Sequence, residues 1–159
     1  MRIAVRLIII LLCGAALSGC PVRRGHTVYF MVSERTPIHG DSYILPIADP
    51  EVIAQARAIV ADPDSAAALI VLADIAPCGA CGYVNRDLPQ DGKRWSWCVT
   101  NCRGFVENTI EIYDGWPGYV EEDLDGWMAN TGGVIGFWSY TVTRELSPWE
   151  VTSGRLIDG

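Results

Sequence analysis

The chain is poor in histidine and in positive charge. Its 159 residues include two histidines, His26 and His39, too few for a histidine-rich metal site. It carries 12 basic residues against 19 acidic ones, a formal net charge of −7, and such a surface repels the phosphates of nucleic acids. The sequence also lacks a mature apolar run of the ~20 residues that a membrane-spanning helix needs. We therefore expect no nucleic acid among its partners and no membrane-spanning helix in the mature chain.

Residues 1–19 have the pattern of a signal peptide that is removed on export. Arg2 and Arg6 give a positive start, and an apolar stretch follows from Leu7 to Leu17. The stretch ends in "LSGC", which resembles the lipobox of bacterial lipoproteins, where cleavage precedes the cysteine and acyl chains such as palmitate are attached to it. The resemblance implies a mature chain that is held to membrane lipid through acylated Cys20. An ordinary signal peptide with a chance cysteine is the alternative.

The residue after Cys20 bears on location. Pro21 stands there, whereas many lipoproteins retained in the inner membrane have an aspartate. The resemblance therefore implies an extracytoplasmic position in the bacterial cell envelope, on the outer membrane or the cell surface.

The remaining chain is long enough for one folded core. We interpret residues 20–26 as a lipid-anchored tether, 27–146 as a single domain and 147–159 as a loose C-terminal tail without periodicity. Strand-like patterns occur at 28–32, 42–47, 67–75, 93–100, 109–113 and 134–146. We predict an α+β fold with an antiparallel or mixed sheet of about five to six strands and two helices packed on one face.

Two segments have helical signals. The first begins at Asp49, a good N-cap, followed by Pro50, and its predicted buried stripe is Ile53, Ala56 and Val60. The second begins at Pro117 in the acidic stretch 110–127, "IEIYDGWPGYVEEDLDGW". Its predicted apolar stripe is Val120, Leu124, Trp127 and Met128, which leaves most of the carboxylates of the stretch on a solvated face.

Four cysteines remain beside Cys20, namely Cys78, Cys81, Cys98 and Cys102. Their spacing is close to that of a zinc ribbon, but export favours disulfides. We expect two disulfides, with bridges from Cys78 to Cys98 or Cys102 as examples, and three pairings remain open. Zinc is the second interpretation. A redox-active thiol pair is the third, although no helix is predicted to begin at "CGAC", as a low thiol pKa would require.

The six tryptophans suggest a binding surface, because aromatic side chains bind glycans and peptides. We expect Trp97, Trp127 and Trp138 in the core. Trp116 and Trp149 fall in predicted loops and are the candidate binding residues.

Several motifs resemble a small domain of bacterial secreted proteins that also forms the N-terminus of a eukaryotic calmodulin-binding protein. They are "DPEVIAQARAIV", "WSW", "FVENTIEIYDGWPGYVEEDL" and "FWS", and the resemblance spans about residues 44–146. The family has a cysteine where Tyr113 stands, another near Gly136 and a histidine where Cys98 stands. The resemblance implies that one family disulfide has been replaced by cysteines particular to this chain. No catalytic activity follows from it, and calmodulin binding does not transfer to a bacterial lipoprotein.

We therefore expect a non-catalytic binding or structural protein of the envelope, without cofactor or metal, whose partner is an envelope protein or a glycan. Its candidate site residues are Trp116, Trp149, Glu111 and Asp114, the last two at a predicted strand end. The alternative is an extracytoplasmic enzyme. It would be a hydrolase using carboxylates at Glu107, Glu111 and Asp114, or a thiol oxidoreductase at Cys78 and Cys81.

Overall fold

The structure is a computed structural model, and it describes residues 26–66, 69–78, 85, 94–107 and 115–153. Within these ranges the fold is α+β, as predicted, with six strands and four helices. The strands are β1 (Val28–Glu34), β2 (Ser42–Ile47), β3 (Leu69–Pro77), β4 (Trp97–Glu107), β5 (Val134–Ile135) and β6 (Tyr140–Leu146). The helices are α1 (Pro50–Ala61), α2 (Pro117–Glu122), α3 (Leu124–Thr131) and α4 (Pro148–Ser153).

The strands form two antiparallel sheets of three strands each, in the orders β2-β1-β6 and β4-β3-β5. The sequence predicted one sheet, and the difference arises at its last strand. The predicted strand 134–146 is interrupted, so that β5 pairs with β3 while β6 pairs with β1. Between them Ser139 has a φ of 65°, a left-handed turn conformation that a continuous strand does not contain. The chain crosses from one sheet to the other at this turn.

The first sheet is built on β1, whose residues alternate between the core and partly exposed positions. Phe30 and Val32 on β1 are fully buried, as is Leu45 on β2. In the second sheet, β4 pairs along the whole of β3, with register shifts at Leu72/Ala73 and Asp74/Ile75. Each shift places one extra residue in β4, which is a β-bulge. β4 also packs against β2, so the core lies between the sheets.

Helix α1 forms as predicted. The carboxylate of Asp49 accepts a hydrogen bond from the backbone N–H of Glu51 over 2.8 Å, and Pro50 opens the helix. Ile53 and Ala56 are buried as predicted, and Ile59 rather than Val60 is the third fully buried residue. The helix packs on β2, β4 and β6.

The predicted second helix is two helices, α2 and α3, which meet at Asp123. The carboxylate of Asp123 accepts a hydrogen bond from the N–H of Gly126 over 3.0 Å and so acts as the N-cap of α3. α3 packs against β5 in the second sheet, whereas α1 contacts three strands at the core. The predicted packing of two helices on one face is not confirmed.

The predicted loose tail contains helix α4. Val151 on this helix is buried with Ile44 and Leu146 in a small cluster on the outer face of the first sheet. Glu150 is also buried, and its carboxylate binds Arg144 at 2.7 Å and the backbone N–H of Ser147 at 2.8 Å. Sequence periodicity does not reveal a helix of six residues, because it has less than two full turns.

Some predictions fall outside the described residues. These are the signal peptide and Cys20, the tether up to residue 25, and the strand predicted at 109–113. Among the residues that the structure does describe, none belongs to a helix long and apolar enough to cross a membrane.

Candidate functional site

A buried carboxylate organises the loop between β1 and β2. Glu34 is the last residue of β1 and faces the core with Val28, Phe30 and Val32, leaving 7% of its surface exposed. Its Oε2 accepts hydrogen bonds from the backbone N–H groups of Ile38 at 2.6 Å and His39 at 2.8 Å, and Oε1 lies 2.8 Å from Nδ1 of His39. These contacts satisfy the buried charge and fix both the loop and the imidazole ring.

The imidazole of His39 in turn lies flat on an indole. Its ring centroid is 4.3 Å from that of Trp116, with the two planes inclined by 9°. Tyr119 meets Trp116 edge to face at 4.5 Å. This geometry is favourable for aromatic rings, and it connects the β1–β2 loop to the first turn of α2.

Gly118 allows this arrangement. A Cβ atom at this position would lie 2.7 Å from Nε1 of Trp116 and 3.1 Å from Oδ2 of Asp41. The indole edge and the Asp41 carboxylate therefore both approach the α-carbon of Gly118 at a distance that only glycine permits.

The electrostatics of the site are those of a compensated negative charge. Burial raises the pKa of Glu34, but the hydrogen bonds from the His39 side chain and from the N–H groups of His39 and Ile38 outweigh it, so that the pKa is lowered overall. The neighbouring hydroxyl of Tyr140 is affected in the opposite direction. Burial, and then the charges of Glu34 and Asp41, raise its pKa well above the usual range. At neutral pH, Glu34 is therefore ionised and Tyr140 is neutral.

Exposed apolar residues surround this buried charge. Ile38 is 77% exposed, Tyr119 49% and Trp138 42%. Trp138 belongs to the turn before β6, which is held to the β1–β2 loop by a hydrogen bond from the N–H of Arg35 to the carbonyl of Ser139. We call the surface that Ile38, His39, Trp116, Tyr119 and Trp138 form the hairpin pole.

The structure separates the two predicted tryptophans. Trp116 belongs to the hairpin pole, at the end of β1 where Glu34 pairs with Tyr140. Trp149 is 52% exposed on α4, three residues after Leu146, which pairs with Tyr29 at the other end of β1. Trp97 is buried and Trp127 partly buried against the core, as predicted, but the prediction that Trp138 lies in the core is wrong. Trp138 is exposed because the turn that carries it joins the two sheets.

The predicted carboxylates are only partly described. Glu111 and Asp114 lie outside the described residues, and Glu107 is exposed at the end of β4. Glu121 is not simply solvated, since its carboxylate accepts hydrogen bonds from the N–H of Ser96 at 2.8 Å and from its hydroxyl at 3.0 Å.

The cysteines differ from the predicted pairing. Cys78 is disulfide-bonded, and Cys98 and Cys102 are free thiols, so neither example bridge from Cys78 is present. Cys98 packs in the cluster with Ile44, whereas Cys102 packs against the core between the sheets. Burial raises the pKa of both thiols, which disfavours thiolate chemistry at neutral pH. Cys81 lies outside the described residues.

A zinc site would need these side chains to converge. Cys98 and Cys102 pack into different clusters because the two bulges of β4 change which residues face the core. Within the described ranges no group of three His, Cys, Asp or Glu side chains is arranged to hold a metal ion.

Two open grooves lie elsewhere on the surface. The first has a volume of about 360 Å³ and is mostly apolar, with Ile59, Leu69 and Phe105 in its lining. The second, of about 830 Å³, lies where the end of β2 and the start of α1 face β4. Neither includes a residue of the hairpin pole.

Sequence reasoning missed Glu34, and it considered His39 only as a potential catalytic base. A signal was present, because strand alternation places Glu34 on the same face as three apolar residues. A carboxylate on a core-facing position needs local hydrogen-bond donors, and the loop that follows contains His39.

A comparison with known families assigns the domain. The family model described as the BP-74 N-terminal domain matches residues 26–148, a span that includes every strand and both elements of the hairpin pole. This confirms the domain resemblance predicted from the sequence motifs. No curated protein and no solved structure matches the chain. Because the match covers most of its length, the chain belongs to the BP-74 N-terminal domain family.

Proposed function

We propose that this protein is a lipid-anchored protein of the bacterial envelope that binds another envelope protein through the hairpin pole, without catalysis. The observation that carries the proposal is the exposure of Ile38, Tyr119 and Trp138 around a rigid, buried charge.

Single exposed apolar side chains are ordinary, but a group of them at one end of a domain is typical of a binding surface. Tryptophan and tyrosine are also enriched among the residues that dominate protein–protein binding energy. Ile38 favours a protein partner over a glycan, because an aliphatic side chain that is 77% exposed at a loop tip gains most from an apolar pocket.

Rigidity supports the same interpretation. Glu34 holds the backbone of Ile38 and the ring of His39, and His39 stacks on Trp116. A surface fixed before binding loses less conformational entropy when the partner docks. The net charge of −7 further favours a partner with basic residues around its apolar pocket.

The position of the pole fits an anchored protein. The chain enters the domain next to Val28, at one end of β1, and the pole lies beside Glu34 at the other end. A tether that begins at acylated Cys20 would therefore reach the domain at the end opposite the pole, which leaves the pole free to meet a partner.

The anchor is tested by intact mass. Membrane-extracted protein is expected to begin at Cys20 and to carry acyl chains, and Cys20→Ala is expected to release the protein from the membrane fraction. An unacylated mature chain would overturn this part of the proposal.

Binding is tested by crosslinking in intact cells. A photoreactive benzoylphenylalanine in place of Tyr119 is expected to give a discrete protein adduct, and the same group in place of Trp149 is expected to give none. The adduct should disappear in Ile38→Asp and in Trp138→Asp and persist in Trp149→Asp, a matched change at an equally exposed tryptophan. An adduct unaffected by the pole variants would contradict the proposal, and one that a peptidoglycan hydrolase removes would identify a glycan instead.

A further inference from the structure

A free thiol lies beside the cystine of Cys78 on the β3–β4 strand pair. In this ladder Ala76 pairs with Cys98 and Pro77 pairs with Trp97. The pairing continues one step further, since the N–H of Cys78 donates to the carbonyl of Ser96 over 2.8 Å. Cys78 and Cys98 are therefore diagonal neighbours on the same face of the sheet.

The two sulfurs are in different chemical states. Cys78 is oxidised and Cys98 is reduced. Cys98 is half-buried among the apolar side chains of Ile44, Leu146 and Val151, so that it is sheltered from external oxidants while it faces the side of the sheet on which Cys78 ends the strand.

We propose that Cys98 is an internal nucleophile for the disulfide of Cys78. The Cys98 thiolate attacks the sulfur of Cys78, a Cys78–Cys98 bond forms, and the former partner of Cys78 leaves as a thiolate that takes up the proton lost by Cys98. The exchange needs no oxidant or reductant, because one disulfide and one thiol are present before and after it. The product would fasten β3 to β4 covalently.

The required movement is small. Diagonal neighbours in an antiparallel pair have Cα atoms about 7–8 Å apart, and disulfides need separations of about 4.4–6.8 Å. Cys78 lies one residue beyond the end of β3, where a shift of about 1 Å does not break a strand pair.

Cys102 provides the internal comparison. It pairs with Ala73, five positions before Cys78 and therefore about 16 Å along the strand, and it packs against the other cluster. Cys102 is too far from Cys78 to attack it, although it is a free thiol on the same strand.

The exchange should depend on pH. Burial raises the pKa of Cys98, so only a small fraction is thiolate at neutral pH. Because the thiolate is the attacking species, the rate is expected to increase about tenfold for each pH unit below that pKa.

Peptide mapping without reduction tests the proposal. Trypsin places Cys78 in the peptide 58–86 and Cys98 in the peptide 95–103. The purified full-length protein is incubated at pH 7.5 and 8.5, its thiols are blocked at intervals, and it is then digested. We expect the two peptides to become disulfide-linked, about tenfold faster at pH 8.5, with fragmentation spectra that place the bond between Cys78 and Cys98.

Two matched variants decide the outcome. The linked species is expected to persist in Cys102→Ser and to be absent in Cys98→Ser, with circular dichroism used to confirm that both variants are folded. A link that survives Cys98→Ser, or folded wild-type protein that forms none at either pH, would overturn the proposal.

Discussion

The imidazole of His39 lies parallel to the indole of Trp116, with centroids 4.3 Å apart and planes 9° from coplanar. The stack joins a loop of the first sheet to α2, two regions far apart in the sequence. Because Nδ1 of His39 is held 2.8 Å from Glu34, the ring cannot rotate without breaking that contact. The hairpin pole is thus ordered from within, by a buried carboxylate.

Gly118→Ala should destabilise the protein. The added Cβ would lie 2.7 Å from Nε1 of Trp116, and overpacking of this kind costs about 1–3 kcal/mol, more than the roughly 1 kcal/mol that alanine gains over glycine in a helix. Urea unfolding measures the loss. In a Trp116→Ala background the same change is expected to be neutral or stabilising, and an unchanged loss there would show that the clash is not the cause.

Glu34→Gln should destabilise the protein at neutral pH by about 1.5–3 kcal/mol, the range for hydrogen bonds to a buried charged group. The folded-state pKa of Glu34 is lowered from an ordinary value of 4.5. Its stabilising contribution is therefore complete above pH 4.5 and is lost as the pH falls through the lower folded pKa. The difference between the wild type and the variant should narrow below pH 4.5, as measured by unfolding at each pH.

Glu145→Gln is the matched control for Glu34→Gln. Glu145 also has a lowered pKa, through its hydrogen bond to Arg57, but its side chain is 39% exposed. Exposed ion pairs contribute about 0–1 kcal/mol, so its effect should be small at every pH. Equal effects of the two changes would contradict the role assigned to burial.

Asp123→Ala should cost about 0.5–2 kcal/mol, because it removes the N-cap of α3. Asp125→Ala removes an exposed carboxylate from the first turn of the same helix, where only the helix dipole is affected, at about 0.3–1 kcal/mol. The free energy of unfolding of both variants decides the matter. A larger loss for Asp125→Ala would remove the capping interpretation of the acidic stretch.

Tyr43→Phe should increase the free energy of unfolding at pH 7 by about 1 kcal/mol, because the Tyr43 hydroxyl is buried without a hydrogen-bond partner among the described residues. Burial, followed by the charges of Cys102 and Tyr140, raises the pKa of Tyr43 well above 10.0. Wild-type stability should therefore fall as the pH rises above 10.0, where the unfolded tyrosine ionises, and Tyr43→Phe should reduce that fall. Tyr119→Phe, at an exposed ring, is the control for the neutral-pH effect.

The elements with local signals could be predicted from the sequence. α1 begins at Pro50 because Asp49 and Pro50 together specify a helix start, and β2 has the predicted bounds because its composition and the turn before it are both local. The break at Asp123 was missed because the apolar spacing continues across it. Period alone does not reveal that a carboxylate has begun a new helix.

The candidate site was found only in part, for a different reason. Trp116 was selected by residue type and by its predicted loop, but its contact with His39 joins positions that no local pattern relates. The exposure of Trp138 and the separate environments of Cys98 and Cys102 depend on a sheet crossing and on two bulges. Each is a property of strand pairing, which a single sequence does not specify.

The central position of β1 has a mechanical consequence. A lipid holding the tether and a partner holding the hairpin pole would pull β1 from opposite ends, along its own axis. β1 is hydrogen-bonded to β2 on one side and to β6 on the other, so such a force would shear both ladders together instead of opening them one bond at a time. The strand that connects the anchor to the pole is also the strand best placed to carry tension between them.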